Sequence, residues 1–118
     1  MFKGDKGGWQ SQSIYTPSAK SVLAAYATAM LKGPSGNHFT LKAGDAQSGT
    51  LVTMWDGSRP SPGYSPKKLQ GAIILGTGGD GSNGGDGTFF EGAMTSGNPP
   101  DAIDDAIQAN IVAAGYGM

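Results

Sequence analysis

Apolar and polar residues alternate along two segments in the first half of the chain. Segment 24–32, AAYATAMLK, places Tyr26, Thr28 and Met30 on one face at a period of two, which predicts a strand. Its alanines also favour a helix, so that alternative stays open. Segment 38–43, HFTLKA, alternates strictly between polar and apolar positions, and we expect a second strand there.

Three later segments also have strand character. Segment 49–57, GTLVTMWDG, predicts a strand closed by a turn at Asp56-Gly57. The continuous apolar run in 71–77, GAIILGT, is typical of a strand buried on both faces. Segment 87–96, GTFFEGAMTS, predicts a further strand, with Phe89, Glu91 and Ala93 on one face and Phe90 and Met94 on the other.

Loops are expected between and before these strands. Segment 58–68, SRPSPGYSPKK, holds three prolines and predicts a loop. Residues 1–20 are rich in Gly, Ser, Gln and Lys, which indicates a loop or a frayed terminus.

The C-terminal segment predicts one amphipathic helix. Asp101 is a candidate N-cap, with Asp104 three residues later as a variant of the capping box. Gly115 is the expected stop. We expect an apolar stripe at i, i+4 and i+8 to pack on the sheet: Ile103, Ile107 and Ile111. The pattern as a whole predicts a mainly β fold of about five strands followed by this helix.

The composition of the chain argues against several kinds of protein and of active site. A formal net charge of -1 with 14% charged residues argues against a nucleic-acid binder. No apolar run reaches the length of a membrane span, and the first residues lack the apolar core of a signal peptide. Cysteine is absent, which excludes a cysteine nucleophile within this sequence. His38 is the single histidine, which leaves little material for zinc, and we expect it to face solvent or a polar contact.

A glycine-rich segment, GTGGDGSNGGDGTFFEG, runs from Gly76 to Gly92 and contains three carboxylates. Its first residues match G-x-G-x-x-G, but the residues that follow cannot form the helix that a dinucleotide site requires. A calcium loop would place Asp80 at position one and Glu91 at position twelve, although Ser82 and Gly84 replace the usual ligands. The remaining interpretations are a plain connection between strands, with glycine at positive φ, or a loop that presents a catalytic acid.

The segment from Gly71 to Ala114 resembles the end of the α-L-arabinofuranosidase B catalytic domain, glycoside hydrolase family 54. The shared pattern is G-A-I-x-L-G-x-G-G-D-x-S-N-G-x-x-G-T-F-x-E-G-x-M-T-S-G followed by Q-A-N-I-V-A-A. KAGDAQSGTL and GSRPSPGYSPKK are similar to the family as well. We expect the similarity to fade before about Ala25.

The resemblance implies a concanavalin-like β-sandwich, here partial. It also implies an enzyme that releases terminal α-L-arabinofuranosyl groups from arabinan and arabinoxylan with retention of configuration. The aspartate of G-G-D, which is Asp80, would be the general acid/base, and Gly79 would lie against the sugar. Asn83 and Glu91 are weaker candidates for substrate contact. A retaining glycosidase needs two carboxyl groups about 5 Å apart, one as nucleophile and one as acid and then base.

The resemblance also implies a fragment. The family's nucleophilic glutamate lies on a strand just upstream of the region that resembles Met1–Gly4, and so do the family's cysteines. We therefore expect residues 1–118 to be the C-terminal part of the catalytic domain, with no nucleophile of their own. Gly81 stands where asparagine is usual and Asp86 where glutamine is usual.

Further expectations from the resemblance are an extracellular location, an arabinose-containing polysaccharide or oligosaccharide as binding partner, and no cofactor, metal, nucleic acid or membrane. Glu91, the single glutamate, is the one candidate for a second carboxylate, against the alternative that it bonds loop backbone amides. Trp9 and Trp55 could stack on sugar, although core packing is the expected role for Trp55. Two alternatives remain: a non-catalytic carbohydrate-binding β-sandwich and an inactive truncated remnant.

Overall fold

The computed structural model describes residues 21–59, Leu75 and residues 87–118. Within these residues the elements are β1 (Ala27–Lys32), β2 (His38–Asp45), β3 (Val52–Ser58) and α1 (Asp101–Ala113). The chain divides into two compact units, one of Met1–Ser65 with Gly97–Met118 and one of Pro66–Ser96. The prediction of a mainly β fold with one C-terminal helix is confirmed.

The three strands form an antiparallel sheet in the order β1-β2-β3. Met30 lies opposite Lys42 and Leu31 opposite Leu41, so the strand expected in segment 24–32 is confirmed and the helical alternative is wrong. Leu41 pairs with Trp55, but Lys42 pairs with Thr53. This shift is a β-bulge, which places one extra residue of β3 between the two pairs and bends the strand.

Two expectations for strands need correction. Asp56-Gly57 is not a turn, because β3 continues to Ser58. A Cβ on Gly57 would lie only 3.2 Å from Cζ2 of Trp55, so glycine leaves room for the indole ring within the strand. The strand expected over residues 87–96 is wrong, since the structure gives this segment an irregular backbone. Its glycines, at 87 and 92, weaken the strand preference that the apolar alternation indicates.

The remaining predicted segments lie mostly outside the described residues. These are the strand at 71–77, of which Leu75 alone is described, the loop at 58–68 beyond Arg59, and the N-terminal segment 1–20. The described part therefore shows three of the five expected strands, which is consistent with part of one layer of a β-sandwich.

The sheet has two faces of opposite character. Residues that pair across antiparallel strands point to the same face, so the register assigns every side chain. The first face is mainly apolar, with Asp45 at its edge, and carries Ala27, Ala29, Leu31, Phe39, Leu41, Ala43, Asp45, Val52, Trp55 and Gly57. The other face is mainly polar and carries Thr28, Met30, Lys32, His38, Thr40, Lys42, Gly44, Thr53, Asp56 and Ser58.

Helix α1 packs on the polar face of the sheet. Its two buried residues are Asp104, 2% exposed, and Gln108, 1% exposed. Gln108 Nε2 donates a hydrogen bond of 2.8 Å to the carbonyl oxygen of Asp45. It also lies 3.3 Å from the position of a Cβ at Gly44, so a side chain there would require Gln108 to shift by a few tenths of an ångström.

The expectation that the isoleucine stripe packs on the sheet is therefore wrong. Ile103 is 47% exposed and Ile107 is 37% exposed, and at 100° per residue they flank the helix face that is centred on the buried Asp104 and Gln108. The lysines of the polar face explain this orientation, because their charges require acidic partners rather than isoleucine. Ile111 is half-buried.

The sequence predicts the C-terminal end of α1 correctly and the N-terminal end incorrectly. The N-cap is Pro100 and not Asp101, and no side chain caps the first turn. Asp101 is instead the first helical residue, with its carboxylate turned to lysine. Gly115 follows the C-cap with a φ of 74°, so the predicted stop is confirmed.

The residues after helix α1 contact residues that precede β1 and follow β2. Tyr116 stacks on Tyr26 with ring centroids 6.0 Å apart. Gln47 Nε2 donates a hydrogen bond of 2.8 Å to the carbonyl oxygen of Tyr116. Fully buried apolar side chains are scarce among the described residues and comprise Ala43 and Ala46. No helix in the described part of the chain has the length and hydrophobicity to cross a membrane.

Candidate functional site

The principal candidates from the sequence lie outside the described residues. These are Asp80, expected to be the acid/base, and the expected sugar contacts Gly79 and Asn83. The two departures from the family pattern, Gly81 and Asp86, fall in the same stretch. Their roles stay predictions.

The residues that flank this stretch contact one another. Leu75 directly precedes Gly76, and Phe89 and Gly92 lie at the far end of the glycine-rich segment. A Cβ on Gly92 would lie 2.6 Å from Cδ1 of Leu75 and 2.9 Å from Cζ of Phe89. Real Cβ contacts are not this short, so a side chain at residue 92 would have to displace the ends of Leu75 and Phe89. We call Leu75, Phe89 and Gly92 the loop-end contact.

Glu91 lies next to the loop-end contact, within the irregular segment 87–96, and its side chain is exposed. The neighbouring apolar side chains are exposed as well: Phe89, Phe90 and Met94. The structure thus leaves Glu91 accessible on the surface. Its expected contact with substrate stays a prediction.

Sequence reasoning missed the most buried polar cluster of the described residues. It consists of Lys32 on β1, Lys42 on β2, and Asp101 and Asp104 in the first turn of α1, and we call it the lysine–aspartate cluster. Lys32 Nζ donates to Asp104 Oδ2 at 2.6 Å and Lys42 Nζ donates to the same oxygen at 2.8 Å. Lys42 also donates to Asp101 Oδ1 at 2.8 Å. The lysine side chains are 9% and 8% exposed.

Lys32 has two further acceptors besides Asp104, and one of them is Asp101 Oδ1 at 3.5 Å. Lys32 Nζ also donates to the carbonyl oxygen of Pro99 at 2.7 Å, just ahead of the helix. Carbonyls and carboxylates from the start of α1 thus converge on two ammonium groups of the sheet. Two features of the sequence could have indicated the cluster. The two lysines lie on the same face of two neighbouring strands, and two aspartates lie in the first turn of the helix.

Electrostatics identify the cluster as structural and not catalytic. Burial opposes the ionisation of Asp104, but hydrogen bonds from Lys32 and Lys42 outweigh it and lower its pKa. The hydrogen bond from Lys42 lowers the pKa of Asp101, and both aspartates raise the pKa of Lys42. A general acid needs a carboxyl group that holds its proton near neutral pH, so these two aspartates are unsuited to that role.

His38 and Asp56 form a second polar cluster, on the same face of the sheet. His38 Nε2 lies 2.6 Å from Asp56 Oδ1, and the Thr40 hydroxyl donates to that oxygen at 2.8 Å. These hydrogen bonds, first from His38 and then from Thr40, lower the pKa of Asp56. The expectation of a polar contact for His38 is confirmed.

Trp55 contributes to the apolar face. Its ring stacks on Phe39 with centroids 5.9 Å apart and lies beside Gly57. The indole is half-buried, and its Nε1 is buried with no hydrogen-bond partner. This arrangement favours a role of Trp55 in packing and not in sugar binding, because a residue that stacks on sugar would expose one face of its ring. Trp9 lies outside the described residues.

A groove of about 300 Å³ lies at one end of the sheet. Val22, Val52 and Met54 are among the residues that line it, and Asp45 supplies its carboxylate. Asp45 accepts hydrogen bonds from the Gln47 amide at 2.8 Å and from the Ser48 hydroxyl at 3.4 Å, so it is engaged in the turn after β2. Among the described residues that line the groove, Asp45 is the single acid, so these residues do not provide the two carboxyl groups that glycoside hydrolysis needs. Over the described residues no group of three or more potential ligands could hold a metal ion.

Comparison with known proteins identifies the family. The family model described as "Alpha-L-arabinofuranosidase B, catalytic" matches residues 1–117. An "Alpha-L-arabinofuranosidase B" of Aspergillus niger is 47% identical over 117 residues, which is 98% of this chain and 22% of that protein. An "Alpha-L-arabinofuranosidase" of Hypocrea jecorina is 50% identical over 99 residues, or 83% of this chain and 20% of that protein.

An "Arabinofuranosidase/B-xylosidase" of Trichoderma koningii is 52% identical over 99 residues, again 83% of this chain and 20% of that protein. No solved structure matches the chain significantly. The chain spans about a fifth of the length of the curated relatives it matches. Since the family match begins at residue 1, the expectation that the similarity fades before Ala25 is wrong. The chain therefore belongs to the family of alpha-L-arabinofuranosidase B catalytic domains.

Proposed function

We propose that this chain supplies the general acid/base of a retaining α-L-arabinofuranosidase. The observation that carries the proposal is the family match over residues 1–117, which includes the motif Gly78-Gly79-Asp80. Three relatives bear arabinofuranosidase names, and each matches this chain at about half identity. The proposed substrates are arabinan, arabinoxylan and related saccharides, from which terminal non-reducing arabinofuranosyl residues are released.

The proposed mechanism has two steps. A carboxylate attacks the anomeric carbon while Asp80 gives its proton to the departing glycosidic oxygen, and a covalent glycosyl-enzyme forms. Asp80 then takes a proton from water, whose oxygen attacks the anomeric carbon and releases the carboxylate. Two inversions give net retention. Gly79 would let the sugar approach the backbone, since glycine has no side chain in the way.

The nucleophile is proposed to come from outside residues 1–118. In the part of the chain that the structure describes, Asp101 and Asp104 are neutralised by lysines. Asp45 is engaged in a turn and Asp56 in the contact with His38. These engagements support a nucleophile elsewhere. Glu91 and Asn83 are proposed as secondary substrate contacts, and the enzyme is proposed to act outside the cell without a cofactor.

The test replaces the matching region of the A. niger relative with residues 1–117, and compares aryl α-L-arabinofuranosides with good and poor leaving groups. Asp80→Asn should slow hydrolysis far more for poor leaving groups, because only these depend on protonation. Asp86→Asn, the same change in the same segment, is the matched control and should leave that dependence unchanged. Equal losses on both substrate types in Asp80→Asn would remove Asp80 from the acid role.

A second experiment locates the nucleophile. Residues 1–118 alone should release no measurable arabinose, because general acid catalysis contributes only about 10²–10⁴-fold of an enzyme's acceleration. Robust activity of this chain alone would show that the nucleophile lies within it. Glu91→Gln would then be the first variant to measure.

A further inference from the structure

Phe89 exposes the kind of ring surface that Trp55 does not. Trp55 is half-buried and stacks on Phe39, whereas Phe89 is 57% exposed. Two atoms at the tip of the Phe89 ring, Cζ and Cε2, lie 2.9 Å and 3.4 Å from the position of a Cβ at Gly92. The ring therefore approaches the chain through its tip, and much of its surface is open to solvent.

Exposed apolar side chains are frequent around Phe89. Phe90 is 56% exposed and Met94 is 66% exposed, and both belong to the same irregular segment, 87–96. A single exposed apolar residue needs no explanation, but several within one short segment indicate a surface that binds a ligand. Glu91 is the single charged residue of this segment, so the surface suits an uncharged ligand such as a neutral saccharide.

The covalent chain keeps Phe89 near the proposed general acid. Leu75 and Phe89 both approach the position of a Cβ at Gly92, at 2.6 Å and 2.9 Å. Asp80 follows Leu75 by five residues, and five residues of chain span at most about 18 Å. A saccharide that extends a few sugar units from Asp80 can therefore reach the ring of Phe89.

We propose that Phe89 is a specificity-determining residue, which stacks on a xylopyranosyl unit of the backbone that carries the arabinofuranosyl group. The proposal rests on the proposed function and names the part of the substrate that the residue recognises. All hydroxyl groups of β-xylopyranose are equatorial, so both faces of its ring present C–H groups, which pack well on the negative face of an aromatic ring. The backbone of arabinan consists of furanose rings, which offer a smaller flat face. Phe89 should therefore favour arabinoxylan over arabinan.

Kinetics of the A. niger chimera on two substrates test the proposal: an arabinoxylo-oligosaccharide, and an aryl α-L-arabinofuranoside that contains no xylose. Phe89→Leu keeps an apolar side chain and removes the ring. It should raise KM for the oligosaccharide about tenfold, and leave kcat and KM for the aryl substrate unchanged. Phe89→Tyr keeps the ring and should retain the native KM. Phe39→Leu, the same change in the ring that stacks on Trp55, is the matched control and should change neither KM.

A binding measurement separates this proposal from the proposed function. Calorimetry with unsubstituted xylotetraose needs no catalysis, so it reports on Phe89 even if Asp80 is not the acid. We expect Phe89→Leu to weaken this binding about tenfold and Phe89→Tyr to preserve it.

Three results would overturn the role of Phe89. The first is that the native chimera does not bind xylotetraose, or binds it no more tightly than Phe89→Leu does. The second is an equal rise of KM on both substrates. The third is a thermal midpoint that falls by several degrees in Phe89→Leu while both KM values stay unchanged, because the ring would then be covered by polypeptide in the intact domain.

Discussion

Lys42 Nζ lies 2.8 Å from Asp104 Oδ2, and both side chains are more than nine-tenths buried. Lys32 approaches the same carboxylate oxygen from the neighbouring strand at 2.6 Å. Two lysines and two aspartates balance their charges in this cluster. The contact between helix α1 and the sheet therefore depends on charge pairing where most helices depend on apolar contact.

Removal of the buried carboxylate should be costly. Asp104→Asn leaves two buried ammonium groups with Asp101, which is 81% exposed, as their remaining carboxylate, and a broken buried ion pair typically costs about 3–5 kcal/mol. Asp105→Asn is the matched control, because Asp105 is the exposed neighbour on the same helix turn and should change stability by about 0.5 kcal/mol or less. Urea unfolding followed by circular dichroism measures the difference. Equal unfolding midpoints for the two variants would show that the cluster adds no stability.

Stability should fall at both extremes of pH. The folded-state pKa values of Asp101 and Asp104 are lowered, so their contribution is complete above the unfolded value near 3.8 and is lost as pH falls through the lower folded values. The pKa of Lys42 is raised, so its contribution is complete below 10.5 and is lost as pH rises through the higher folded value. Between these limits the contribution of this cluster to the unfolding midpoint should therefore not change with pH.

The pH experiment needs its own control. The variant Asp104→Asn should show a smaller acid loss than the native sequence, since one of the two lowered carboxyl groups is gone. Asp56 also contributes to the acid side, because the hydrogen bonds from His38 and Thr40 lower its pKa. An acid transition that is identical in both proteins would assign the loss to groups outside the lysine–aspartate cluster.

Strand and helix positions were largely readable from the sequence, and the relation between them was not. Alternation located β1 and β2, and Gly115 marked the helix end, since period-two patterns and positive-φ glycine are local properties. The isoleucine stripe of α1 did not predict the centre of the face that meets the sheet, which carries Asp104 and Gln108. Packing of a helix depends on its partner, and the partner face holds Lys32 and Lys42, whose charges outweigh the attraction of isoleucine for the sheet.

The site was predicted by a different route. Periodicity and charge left several interpretations of the glycine-rich segment open, and only the resemblance of its motif to a family singled out Asp80. The family match supports that choice at the level of the family. The sequence did not predict the lysine–aspartate cluster. Its two lysines are ten residues apart on two strands, and its aspartates follow about sixty to seventy residues later, so that only the tertiary fold brings them together.

Calcium should leave stability unchanged if the glycine-rich segment presents an acid. A calcium loop that begins at Asp80 would end with Glu91 as its last ligand. Any ion that binds the native state must raise the unfolding midpoint. Thermal unfolding of the A. niger chimera in millimolar calcium and in EDTA makes the comparison. A rise of several degrees in calcium that Asp80→Asn removes would establish a calcium site in place of an acid-bearing loop.

The loop-end contact provides the last prediction. Gly92 and Gly87 both flank the stretch that contains Asp80, and neither has a positive φ. A methyl group at residue 92 would meet Leu75 Cδ1 at 2.6 Å and Phe89 Cζ at 2.9 Å, whereas a methyl group at residue 87 meets nothing within 4 Å. Gly92→Ala must therefore displace two side-chain ends, at a cost of about 1 kcal/mol because both are flexible and exposed, and Gly87→Ala should be nearly neutral.

Hydrogen exchange of segment 87–96 measures this difference, because a weakened contact opens more often and its amides exchange faster. We expect faster exchange in Gly92→Ala than in Gly87→Ala. The second substitution Leu75→Ala should restore slower exchange to Gly92→Ala, since it removes the atom at 2.6 Å. If the two single variants exchange alike, or if Leu75→Ala accelerates exchange further, then Leu75 and Gly92 do not hold the ends of the glycine-rich segment together.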